Sequence, residues 1–102
     1  MLSIRHDPFP FEAVRDLLGL VRAVYAARVA EGAGAVTLAK VATTGLDLAL
    51  ALDLADHHVT GTLGHAAAWK RAERAATAAA DLVALTDGAE PIVLAAMNRV
   101  TT

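Results

Sequence analysis

At 102 residues the chain has material for one core, since two would each fall below the size that folds unaided. Its hydrophobic share of 56% is high while aromatic residues make up only 4%, so the surplus is Ala and Leu, and such a core depends on close backbone approach more than on bulk. The net charge of −2 is spread thinly, with four basic and four acidic groups in residues 1–31, the same in 62–102, and Asp47, Asp53 and Asp56 against Lys40 alone between them, which leaves no basic stripe of the kind that binds nucleic acid.

The first predicted helix covers residues 10–30. Asp7-Pro8-Phe9-Pro10 opens it and Glu31-Gly32-Ala33-Gly34 closes it, following the usual placing of Pro at helix starts and Gly beyond helix ends. Phe11, Val14, Leu17, Leu18, Val21, Val24 and Tyr25 recur at spacings of three and four as one apolar stripe. A second strip of Gly19, Ala23, Ala26, Ala27 and Ala30 is small enough to admit another helix.

The second predicted helix, residues 36–58, is the most ambiguous segment. Leu46, Leu48, Leu50, Leu52 and Leu54 alternate with a strand period, and Thr43-Thr44-Gly45 can be read as a hairpin turn within 36–54. Leu and Ala favour helix, however, and residues 45–58 contain no β-branched or aromatic residue, so helix is the favoured reading. On a helix, Leu38, Val41, Ala42, Leu48, Ala49, Leu52, Ala55 and Val59 form the main face. Leu46, Leu50 and Leu54 extend it sideways, and Lys40, Thr43, Thr44, Asp47 and Ala51 are left as the polar strip. A helix apolar over most of its circumference needs cover on several sides, and a second copy of the chain is the simplest source.

Thr60-Gly61-Thr62 separates this from a third predicted helix at 63–85. Its Ala68, Ala72, Ala75, Ala79 and Leu82 make a seam suited to tight antiparallel packing, widened by Trp69, Ala76 and Val83. Lys70, Arg71, Arg74, Thr77 and Asp81 take the wet side. A short fourth helix is predicted over 91–100, offering Ile92, Val93, Ala96, Met97 and Val100. The expected fold is therefore a single all-α domain over residues 1–102, an up-down bundle of three long helices and one short, completed by dimerisation.

Several chemistries are disfavoured. Cysteine is absent, which removes disulfides, thiolate metal sites and thiol nucleophiles and fits a reducing cytoplasm. Ser3 is the only serine, so a serine triad is not expected, and no catalytic residue is assigned. The run MLSIRHDPFPFE lacks the apolar stretch of a signal peptide. The most apolar window, residues 33–55, contains Lys40, Asp47 and Asp53, each costing about 2.5–3.5 kcal/mol near a bilayer centre, which argues against a membrane span. TLAKVATTG at 37–45 has the look of the first helix and turn of a helix-turn-helix, but LDLALALDLAD then stands where a recognition helix would need basic or polar side chains. Lys70, Arg71 and Arg74 are a small basic cluster interrupted by Glu73, read as a solvated face and not a phosphate site.

Two sets of candidate site residues remain. Leu46, Leu50, Leu54 and Trp69 are the expected docking surface for a partner helix or a second copy. Asp53, Asp56, His57 and His65 form a polar knot at the end of the second helix; Asp53 and His57 are four apart, a spacing that can share a divalent transition metal. Bundle metal sites draw matched carboxylate-His pairs from two helices, and imidazole at a helix C-terminus is favoured by the macrodipole without any metal. The expected function is a non-catalytic, self-associating interaction or regulatory module that needs no cofactor. The alternative is a metal- or small-ligand-binding helical protein centred on Asp53, His57 and His65.

Overall fold

The computed structural model describes residues 8–58 and 61–82, which form three helices with no strand among them. α1 spans Phe11–Ala30, α2 Ala35–His57 and α3 Leu63–Leu82. The segment that alternates like a strand is thus helical throughout. The predicted extension of the third helix to 85 and the short helix over 91–100 lie outside the described residues.

The helix ends follow from local chemistry. α1 stops in a Schellman arrangement: Gly32 adopts φ 76°, and the amides of Ala33 and Gly32 donate to the Arg28 and Val29 carbonyls at 2.9 and 3.0 Å. Arg28 pairs with Glu31 across the same turn at 3.1 Å. α2 starts at Gly34 without a side-chain cap. α3 is capped by Thr62, whose Oγ1 accepts from the His65 amide at 3.3 Å.

α2 is the middle helix, packed on both of the others, while α1 and α3 touch little. The short connections at 31–34 and 58–62 make consecutive helices antiparallel. Val14, Leu17, Leu18, Val21 and Val24 of α1 are buried, as their spacing predicts. Ala68, Ala72, Ala75, Ala76 and Ala79 of α3 are fully buried, a wall only one methyl deep.

That wall changes which face α2 turns inward. The buried residues are Val41, Thr44, Leu48, Ala51 and Ala55, so Thr44 and Ala51 belong to the core and not to the expected polar strip. Both lie on the flank of α2 that carries Asp47, the side of α3, where small side chains permit close approach. Thr44 brings no unpaired group inward, because its hydroxyl donates to the Lys40 carbonyl at 3.0 Å. On the other flank, Gly45 sits over Val21 and Leu18 of α1. The small-residue strip of α1, Gly19, Ala23, Ala26, Ala27 and Ala30, is exposed, and no described element covers it.

At the end where α1 and α3 begin, Phe9 is buried and meets Phe11, Trp69 and His65 edge-to-face at centroid distances of 5.2, 5.4 and 6.1 Å. This aromatic plug closes one end of the bundle and decides the fate of two residues that the sequence placed in sites.

Candidate functional site

The outer face of α2 carries Val36, Leu46 and Leu50, three of the large apolar side chains left exposed among the described residues. Residues two apart on a helix differ by about 200°, so Leu46 and Leu50 both point away from the side on which Leu48 is buried. Leu46 is 60% exposed and Leu50 37%, and Val36 on the same helix reaches 71%. Leu54 is half-buried and packs against the core. Beside Leu46 runs an apolar groove of about 420 Å³ between α1 and α2, floored by Val21, Val41 and Gly45 and edged by Tyr25 and Arg22.

Trp69 does not belong to this surface. It is 3% exposed and lies in the core against Phe9, so a partner docking on α2 would not touch it. Of the four residues expected to form a docking surface, Leu46 and Leu50 are presented together, Leu54 lies at the edge, and Trp69 is inside.

The polar knot is likewise divided. His57 and Asp53 are paired on the surface: the ring Nδ1 donates to the Asp53 carbonyl at 2.8 Å and stands 3.3 Å from its carboxylate. The hydrogen bond to that carbonyl, and secondly the Asp53 charge, raise the His57 pKa. Asp56 is exposed next to them and contributes a weaker push in the same direction. His65 faces the other way, 2% exposed and seated on Phe9, and its Nδ1 is buried with no hydrogen-bond partner among the described residues. Burial lowers its pKa, as does, to a smaller degree, the nearby His58. Asp53, Asp56, His57 and His65 therefore do not converge, and the described residues contain no group of three or more His, Cys, Asp or Glu placed to hold a metal.

Sequence reasoning missed a polar contact across the helices. Asp47, read as part of a solvent strip, accepts from Arg71 at 3.1 Å and Arg74 at 2.9 Å, both onto one carboxylate oxygen. Its side chain is 16% exposed, so the pairing takes place at the shielded α2–α3 edge. The two Arg sit three apart on α3, which puts them on one face, and a lone Asp amid apolar residues was the signal available. Arg71 and Arg74 also line a shallow concavity on α3 with Lys70, Glu73 and Thr77. Two of its three cationic groups are thus engaged by Asp47 and serve to fix α3 against α2.

By length and composition α2 is also apolar enough to cross a membrane, with a mean hydropathy of 1.5 over its best window, of which 22% is buried in the protein. The low buried share restates the same feature: this helix carries more apolar surface than its two neighbours cover. No family model, curated protein or solved structure matches the chain.

Proposed function

We propose that the chain is a non-catalytic helical interaction module that self-associates through the outer face of α2, most simply as a two-fold dimer. The supporting observation is the outward placement of Leu46 and Leu50 beside the α1–α2 groove. An apolar helix face between two flanking helices is a shape that another helix completes. The core also supports this reading, because α3 contributes mostly Ala, and each buried CH₂ brings only about 0.8 kcal/mol. A domain of this size with so little bulk inside gains from burial between copies. In this proposal the predicted helix over 91–100 adds a fourth member to each bundle, and the lack of cysteine fits a role in the cytoplasm.

Sedimentation velocity across a concentration series tests the reading. The expected result is a species of twice the chain mass at micromolar concentration. Leu46→Asp should return it to monomer without changing helical circular dichroism, because residue 46 is outside the core. A wild-type chain that remains monomeric throughout the series overturns the proposal.

A further inference from the structure

One end of the bundle gathers the start of α1, the end of α2 and the start of α3 around His65. The His65 ring is 2% exposed and edge-on to Phe9, and its Nδ1 is buried with no hydrogen-bond partner among the described residues. An imidazole can occupy such a place only while neutral, because the imidazolium has two N–H donors and a charge to solvate.

The charged groups on the surrounding elements do not offset that charge. His65 is the third residue of α3, where the helix dipole is positive and disfavours a cation. The ring of His58, at the end of α2, lies over the Gly64 backbone, and its charge acts in the same direction. Asp53 is paired with His57 at the surface, and Asp56 is exposed beside them. On α1, Glu12 and Arg15 are exposed, and Arg15 lies over the Phe11 ring. No carboxylate among the described residues is near enough to favour the protonated ring.

The cover over His65 is thin. Ahead of α1, Pro8 is exposed and Phe9 and Pro10 are buried. The Phe9 carbonyl accepts from the Phe11 amide at 2.9 Å and the Pro10 carbonyl from the Val14 amide at 3.1 Å. Both bonds tie the strap to α1, and among the described residues no backbone hydrogen bond joins it to α3. Phe9 is thus held against His65 and Trp69 by ring packing. Lifting that one side chain admits water to Nδ1, whereas parting α2 from α3 would expose the whole buried face of each.

We infer that Phe9 is an acid-released latch: protonation of His65 drives the Phe9 ring off α3 and uncovers Trp69 while the three helices stay folded. Burial, and to a smaller degree His58, lower the His65 pKa in the closed form, whereas the opened form returns it to the ordinary value of about 6.5. The opened form therefore takes up the proton first as pH falls, and the latch closes again as pH rises.

Trp69 is the only tryptophan, so its emission reads the latch directly. The full chain is titrated from about pH 7.5 to about pH 4.5, at a concentration where its mass does not change. Emission should shift to the red and acrylamide quenching should rise several-fold in a one-proton step below the ordinary histidine value, with helical circular dichroism unchanged. Phe9→Ala should show the exposed emission already at neutral pH with its helices intact. His58→Ala should move the step to higher pH, and His65→Leu should remove it. Emission that stays constant over the range, or changes only as helix is lost, overturns the latch. A step that persists in His65→Leu, or a Trp69 that stays shielded in Phe9→Ala, overturns it as well.

Discussion

Gly45 is a sensitive probe of how α1 and α2 meet. Glycine inside a helix costs about 0.5–1 kcal/mol relative to Ala, through the freedom that it loses on folding. A Cβ at residue 45 would lie 3.5 Å from Val21 Cγ1 and 4.0 Å from Leu18 Cδ1, ordinary contact distances that require no movement. Gly45→Ala should therefore stabilise the protein by roughly the propensity difference, with a small addition from the new contacts. Gly19 provides the reference. It too lies within a helix, but a Cβ there meets nothing within 4 Å, so Gly19→Ala should report propensity alone. For a domain of this size, about 0.5–1 kcal/mol corresponds to a rise in Tm of about 2–8 °C. Thermal and urea unfolding by circular dichroism, at a concentration where the mass does not change, measures both variants. If Gly19→Ala stabilises and Gly45→Ala destabilises, the two helices lie closer than the structure places them.

Two further outcomes are expected. Asp47→Ala should cost about 0.5–2 kcal/mol, the sum of two ion pairs discounted because Arg71 and Arg74 are 38% and 64% exposed. The loss should shrink as salt is raised, and a salt-independent difference in urea unfolding would show that Asp47 acts by packing instead. His65→Leu should flatten the acid limb of the stability curve. The folded-state pKa of His65 is lowered, so below the ordinary value of about 6.5 the unfolded chain binds the proton first, and stability falls as pH drops. Unfolding between about pH 7.5 and 5 tests this, and a variant with the wild-type slope refutes it. His57 has the opposite sign: its raised pKa favours the folded state at low pH, a contribution lost as pH rises.

The parts of the fold legible in the sequence were those with a single face to assign. α1 gathers most of its large apolar residues along one stripe, and Val14, Leu17, Leu18, Val21 and Val24 of that stripe are buried, while Tyr25 at its edge is exposed. Gly32 and Thr62 marked helix ends because their chemistry is local. What escaped depends on neighbours distant in the chain. Arg71 and Arg74 lie 24 and 27 residues from Asp47, and nothing in the local pattern selects that partner over water. His65 and Trp69 are four apart on the face of α3 that also holds Ala72 and Ala76. Read alone, they invite a site; Phe9, more than fifty positions earlier, covers both and makes them core.

The alternating leucines of α2 show how one pattern carries two meanings. On a strand, Leu46, Leu48, Leu50, Leu52 and Leu54 would share a face and the opposite face would be mostly Asp and Ala. On a helix, each step of two turns the side chain by about 200°, so the same five residues are distributed around the axis. Leu48 enters the core at zero exposure, Leu52 and Leu54 pack at its margins, and Leu46 and Leu50 are left outside. No single-faced environment can bury all five. The middle position of α2 in the bundle satisfies three of them, and the two that remain are left exposed among the described residues. A helix built to end its packing at α1 and α3 would carry polar residues at 46 and 50. Leucine at both positions is the observation on which the proposed contact with a second copy rests.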